Sequence, residues 1–239
     1  MGQNVDYRAW ARRRTQTMLD AGPSRRVVAV MVASVDARAA LDGKSGGLSS
    51  EPDRALLKAW RAVAGGLLVG ARTLETERYG SLIPDDARDA RRAAGREGWP
   101  RVLTISRRMD IDLDAVLSTD ATLSLTIYTQ QPVADDRPGS DVHVVTLDDV
   151  SVGCVVADAR ERYGYDVIVC EGGPHLLAAA LADGVLTDLS LTLAPVVLGS
   201  GPPLLGGDDL PTAVPLRLAA ADARDGSVFV HYRLGGATR

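Results

Sequence analysis

Apolar residues along this chain fall into short blocks of two periods. Arg26–Ser34, RVVAVMVAS, is a continuous apolar run rich in β-branched residues, as expected of a strand buried on both faces. Leu67-Leu68-Val69, Arg101–Ser106, Leu123–Thr129, Val142–Thr146 and Asp166–Cys170 are shorter runs of the same kind. Thr187–Ala194 and Ser227–Leu234 alternate instead, with Leu189, Leu191 and Leu193 on one face, which predicts strands with two unlike faces. Helical spacing separates these runs. Ser50-Glu51-Pro52-Asp53 opens one helix: Ser50 caps, Pro52 suits the first turn, and Asp53 has capping-box spacing. Leu56, Leu57, Trp60 and Val63/Ala64 continue it until Gly65-Gly66. Asp149–Tyr163 and Pro174–Ala182 are predicted helices too. Asp85–Gly98 is arginine-rich and reads as an exposed helix or loop, and Asp36–Ser50 and Gln130–Ser140 read as loops.

This order predicts an α/β fold with helices flanking a mixed, mostly parallel central sheet: alternating elements imply parallel pairs early, and closely spaced late strands imply antiparallel ones. Residues 25–239 are expected to form a single domain. Residues 1–24 are expected to form an N-terminal arm with one helix, docked through Tyr7, Trp10, Met18 and Leu19, with Arg12-Arg13-Arg14 solvated.

Composition narrows the function classes. Aromatics make up 4% of the chain and the net charge is −4, so it has neither stacking platforms nor a basic field for nucleic acid, although local arginines can still hold a small anion. No segment reaches the ~18 apolar residues of a membrane helix, and MGQNVDYRAWARRRTQ has no apolar signal region, so a cytoplasmic protein is expected. Cys154 and Cys170 lie in or beside apolar runs and are expected to be buried free thiols. Gly43-Lys44-Ser45 fails as a phosphate loop because Arg38 stands where its first glycine belongs. The G-x-G-x-x-G and G-x-S-x-G motifs are absent, and His143, His175 and His231 are scattered, so no metal site is expected.

The chemistry-bearing residues cluster where predicted strands run into helices. Val169-Cys170-Glu171-Gly172-Gly173-Pro174-His175-Leu176-Leu177 delivers an acid to a strand end, turns on two glycines and starts a helix at Pro174. The N–H groups of His175 to Leu177 would then suit a phosphate, unless the junction is a plain turn. Gly70-Ala71-Arg72-Thr73 and Glu77 repeat this form, with Thr73 either capping a surface helix or contacting a cofactor. Thr104-Ile105-Ser106-Arg107-Arg108 ends a third strand. Three such strand ends point to one ligand lying across the sheet edge.

Together these blocks resemble the RibD C-terminal family, the reductase domain of bacterial riboflavin biosynthesis, which shares the dihydrofolate-reductase-like fold. Four stretches carry the likeness: Met31–Asp36; Ser49–Arg61; Leu67–Thr73 with Glu77; and Cys170–Pro174 followed by Thr187–Gly199. Glu77-Arg78-Tyr79-Gly80 is most similar to stand-alone actinobacterial members. The resemblance implies NADPH-dependent reduction of 5-amino-6-(5-phosphoribosylamino)uracil to its ribityl form, by hydride transfer to sugar C1′, in a homodimer. It implies that Val32, Thr73, Glu77, Ser106, Arg107, Gly172, Gly173, Pro174, His175, Leu176 and Leu177 line the NADPH site. Ser45, Arg61, Ser81 and Glu171 would face the substrate, and Glu77 would assist proton transfer. The chain departs from the family pattern at Ala37 (usually Gly), at Glu77 (usually Asp) and at Gly47, where an aromatic often covers the cofactor. The deaminase domain that often precedes this reductase is not expected within residues 1–24, which are too few to hold it. Two other readings stay open: a dihydrofolate or pterin reductase on the same fold, with Asp36 as the carboxylate that contacts the pterin, and a non-catalytic NADP-binding protein.

Overall fold

A computed structural model describes residues 5–77, 79, 82–119, 123–132, 140–207 and 209–235. Its first half contains α1 (Tyr7–Asp20), β1 (Arg26–Ser34), a 3-10 turn at Ser45–Gly47, α2 (Glu51–Val63), β2 (Gly66–Gly70), α3 (Ala71–Thr76), α4 (Asp85–Ala93) and β3 (Arg101–Ile105). Then follow α5 (Leu113–Thr119), β4 (Leu125–Thr129), β5 (Val142–Thr146), α6 (Val152–Tyr163), β6 (Val167–Gly172), α7 (Pro174–Ala182), β7 (Asp188–Ala194), β8 (Leu216–Arg224) and β9 (Ser227–Leu234).

All nine strands join one sheet in the order β5-β4-β3-β2-β6-β1-β7-β9-β8. From β5 to β7 every neighbouring pair is parallel. β9 lies antiparallel to β7, as the late strands predict, and β8, a strand the sequence reading did not include, lies antiparallel to β9. β1 sits between β6 and β7, which explains its unbroken apolar run: helices cover both of its faces.

Strand alternation feeds two cores. Leu67 and Val69 of β2 face Leu56 and Trp60 of α2, while Leu68 faces the other side with Ile168, Val155 and Leu177. The first core also takes in α1, α3 and α5, and the second takes in α6 and α7.

The structure corrects several expectations. β8 carries no strong strand signal, because LRLAAADAR is alanine-rich and Leu216 and Leu218 stay exposed. What makes it a strand is the tight turn at Asp225-Gly226, both at positive φ, which folds it back along β9. β7 keeps its period of two, but with the opposite face buried: Asp188, Ser190 and Thr192 are buried and the three leucines only half-buried. Arg91 is buried, because its guanidinium donates to the carbonyls of Glu97 (3.0 Å), Ala62 (3.1 Å) and Ala64. It thereby satisfies carbonyls at the end of α2 that have no acceptor role within the helix. Cys170 is buried but Cys154 is exposed, since Val152, Val155, Val156 and Ala159 form the inward stripe of α6.

The N-terminal helix is packed onto the far end of the chain. Asp6 caps α1 by accepting from Ala9 N (2.9 Å). Trp10 meets the Phe229 ring edge-on at 5.0 Å and donates from Nε1 to Asp222 Oδ2 (2.8 Å). Trp10 and Met18 are buried, while Tyr7 and Leu19 are half-buried. Arg14 is not simply solvated: its Nη2 donates to Phe229 O at 3.0 Å.

Asp188, the first of the polar residues buried on β7, belongs to an ionic cluster. Arg26 Nη1 lies 3.5 Å from Asp188 Oδ1, His231 Nε2 lies 3.0 Å from the same oxygen, and Thr187 Oγ1 donates to Asp188 Oδ2 (2.7 Å). Arg26 also donates to the carbonyls of Pro23 (2.7 Å) and Leu19 (2.6 Å), tying α1 to the sheet. Burial works against the Asp188 charge, but hydrogen bonds from His231 and Thr187 and the nearby Arg26 hold its carboxyl below its ordinary value. A group depressed in this way stabilises the fold above the unfolded carboxylate value of about 3.9, and that contribution is lost as the pH falls through the folded value. Asp188→Ala should cost about 3–5 kcal/mol in chemical denaturation, because it strands Arg26. Asp188→Asn should show a flatter acid-unfolding curve than the parent.

Candidate active site

The C-terminal ends of β1, β2, β3 and β6 open into a single cleft of about 1260 Å³, above the ~300–1,000 Å³ typical of one small-ligand site. α2 forms one wall, and the starts of α3 and α7 form the other. This edge is where an open parallel sheet binds its ligands, beside the point at which the strand order reverses between β2 and β6.

The cleft floor depends on glycine. A Cβ on Gly70 would lie 3.3 Å from Gly173 N and 3.4 Å from Gly172 O. One on Gly172, which has φ +79°, would lie 2.9 Å from Met31 Cε. Thr73 Oγ1 closes the contact by accepting from Gly173 N at 3.1 Å. Thr73 therefore lies inside α3 rather than capping it; the cap is Gly70.

β6 extends to Gly172, two residues beyond the sequence expectation, so Glu171 still belongs to the strand. α7 starts at Pro174 with Gly173 as its cap and no side-chain capping bond. The N–H groups of His175 and Leu176 have no acceptor within the helix, and both residues line the cleft. Leu177 does not belong to this shelf. Its N–H donates to Gly173 O (3.0 Å) and its side chain lies in the core. Gly172 is likewise buried and acts only as backbone.

Val32, Ser45, Thr73, Glu77, Arg107, Gly173 and Pro174 also line the cleft. Ser106 turns away from it: its buried hydroxyl donates to Asp110 Oδ1 (2.8 Å) and accepts from Asp110 N (3.1 Å), closing its own turn. Ser81 lies outside the described residues. Glu77 is held at the cleft mouth, where its Oε1 accepts from Ser45 N (3.0 Å) and Ser45 Oγ (2.9 Å).

Arg61 and Glu171, read separately from the sequence, form one unit. Arg61 Nε donates to Glu171 Oε1 at 2.6 Å and Nη2 to Oε2 at 2.7 Å, with side chains 14% and 4% exposed. Tyr79 donates its hydroxyl to Oε2 (3.1 Å), and its ring centroid lies 5.3 Å from the Arg61 guanidinium. Burial opposes the charge on Arg61, but the Glu171 carboxylate raises its pKa above the ordinary value. Burial, aided by the Glu171 charge, lifts the Tyr79 phenol well above its own. Tyr79 stood in the Glu77–Gly80 stretch singled out in the sequence, but nothing there gave it a role in the site.

Asp53 was legible only as a capping residue. Its carboxyl lines the cleft and accepts from Ser49 Oγ (2.7 Å), and burial pushes it up against the opposing hydrogen bonds of Ser49 and Thr192. The loop through Pro202, Pro203 and Gly206 forms another wall, with Gly206 N donating to Pro174 O at 3.2 Å. Asp36 holds that loop. It accepts from Ser34 Oγ (2.6 Å) and from the amides of Leu198 (3.0 Å) and Gly199 (2.8 Å), which keep its carboxyl far below its ordinary value. A carboxylate engaged in this way is a loop anchor, which removes the residue on which the pterin reading rested.

Glu171→Ala should therefore behave first as a stability variant, costing about 3–5 kcal/mol by leaving Arg61 unpaired. Adding Arg61→Ala to it should cost far less than the sum of the two single changes, as read in a double-mutant cycle of denaturation free energies.

The RibD C-terminal domain model matches residues 25–230. Riboflavin biosynthesis protein RibD of Mycobacterium tuberculosis is 31% identical over 180 residues, 74% of this chain and 43% of the relative. This chain thus spans less than half the length of that relative. A pyrimidine reductase-like protein from Corynebacterium diphtheriae superposes with a TM-score of 0.76 at 25% identity, over 92% of this chain and 98% of that one. Acinetobacter baumannii RibD shares the fold, with a TM-score of 0.71 at 17% identity over 88% of this chain and 58% of that one. The family match, the parallel sheet and the cleft at its C-terminal edge agree: this chain belongs to the RibD C-terminal domain family.

Proposed function

We propose that this chain is an NADPH-dependent reductase that converts 5-amino-6-(5-phosphoribosylamino)uracil to its ribityl form. The observation that carries the reading is the joining of two unlike regions in one cleft: an N–H shelf at α7 over a glycine floor, and a polar wall at α2.

The residues present fit the cofactor. Gly70 and Gly173 leave the cleft backbone bare of side chains, beside the N–H groups of His175 and Leu176 that have no acceptor within the helix, and these suit a pyrophosphate. Arg107 and Arg72 are exposed along the same edge and suit the 2′-phosphate. When bound there, NADPH supplies the hydride that reduces sugar C1′. The chain's own residues align the partners and exclude water. Glu77, oriented by Ser45, moves a proton at the sugar ring oxygen as the ring opens. Arg61 faces the pyrimidine, with Glu171 and Tyr79 fixing its guanidinium from behind.

The same reading includes a homodimer. Leu189, Leu191 and Leu193 of β7, Val228 of β9 and Leu218 of β8 lie on one sheet face, by register and alternation. Leu218 is 52% exposed and Val228 40% exposed, so this face suits a second copy of the chain.

Loss of NADPH absorbance should accompany turnover of the ribosylaminouracil phosphate and not of dihydrofolate; the reverse result would favour the pterin reading. NADPH binding without turnover of either substrate would favour a binding protein. Glu77→Gln should lower kcat by about 10²-fold while sparing NADPH affinity. Arg107→Ala should weaken NADPH about tenfold and leave NADH unchanged.

A further inference from the structure

α2 presents Arg54, Lys58 and Arg61 at spacings of four and three residues, which places them along one helix face, and all three line the cleft. The third is the arginine that the family resemblance places facing the substrate. Yet Glu171 holds it with two bonds of 2.6 and 2.7 Å, and the pair is largely buried. Its charge is matched within the protein, and an incoming dianion there would have to compete with a buried carboxylate. An anionic substrate group must therefore be met elsewhere in the cleft.

Arg54 and Lys58 differ from Arg61 in this respect. Both are exposed, and among the described residues neither forms an ion pair. Arg54 is also held in place: its Nη1 donates to Ser49 O at 2.6 Å, leaving the rest of the guanidinium fork available. Asp53, the neighbouring carboxyl, is buried and engaged by Ser49 Oγ at 2.7 Å, whereas Arg54 and Lys58 are exposed. The cleft's other exposed cations, Arg72 and Arg107, lie along the edge of the N–H shelf. The positive charge thus falls into two groups, with the Glu77 and Glu171 carboxylates lining the same cleft.

We propose that Arg54 and Lys58 anchor the terminal phosphate of a sugar-phosphate substrate at the α2 end of the cleft, separate from the phosphates of the cofactor. The proposal rests on the reading of this chain as a reductase of a phosphoribosyl compound. It makes Arg61 a recognition group for the uncharged part of the substrate, and it gives the charge-based part of substrate affinity to two residues of α2 to which the family resemblance assigned no role. An Arg fork beside a Lys point charge suits a phosphate monoester.

Calorimetric titration with ribose 5-phosphate and with ribose tests this without turnover. The parent protein should bind ribose 5-phosphate and not ribose. Arg54→Ala and Lys58→Ala should each weaken that binding about tenfold and leave the NADPH Kd unchanged. Lys58→Arg should restore most of the affinity. Arg107→Ala should show the opposite split, with weaker NADPH and unchanged ribose 5-phosphate. Both α2 side chains are exposed, so melting temperatures should stay at the parent value. The proposal is overturned if the parent fails to bind ribose 5-phosphate, or if neither alanine variant changes its affinity. Turnover of the ribosylaminouracil phosphate is scored separately. If the parent does not turn over this substrate but shows the expected binding losses, the pyrimidine reading fails and the phosphate anchor stands. If turnover proceeds with an unchanged KM in both variants, the pyrimidine reading stands and the anchor fails.

Discussion

β2 and β6 end in close backbone contact, and the cleft follows from that constraint. A Cβ on Gly70 would lie 3.3 Å from Gly173 N, one on Gly172 would press on Met31 of β1, and Thr73 closes the gap with one hydrogen bond. Because the strands meet there, α7 starts directly over the sheet edge with its N–H groups facing the open side. On the other side of β6, Glu171 reaches back to α2 and holds Arg61. One short stretch of β6 therefore sets both the N–H shelf and the polar wall.

The second organising feature is polar burial beneath α2. Trp60 stacks on His231 at 5.8 Å, and His231 in turn meets Asp188 and through it Arg26. This cluster joins β1, β7, β9 and the end of α1, elements far apart in the chain. It also explains why β7 turns its polar residues inward and leaves its leucines half-exposed on the opposite face. Buried ions are costly to desolvate, and this group is kept only because each charge has a partner within reach.

Charge in the cleft is arranged rather than merely present. The overall balance is slightly negative, yet exposed cations stand along the shelf and along α2, and acids line the cleft with them. That layout suits the two proposed ligands, a cofactor with its phosphates at the shelf and a substrate with its phosphate at α2.

Much of this was legible in the chain itself. The continuous run of β1, the capped start of α2 and the Gly-Gly-Pro junction after β6 each carry a local physical signal, so strand order along the chain, helix starts and the glycine turn follow from composition and period alone. Pairings between distant residues left no such trace. Nothing local tells that Arg61 is neutralised by Glu171, that Tyr79 joins them, that Ser106 bonds Asp110 rather than a ligand, or that the alternation of β7 points its polar side inward. Those outcomes depend on which surfaces the sheet brings together. Period and propensity act within a few residues of one another, whereas ion pairing and burial are set by neighbours far away in the chain, 110 positions between Arg61 and Glu171.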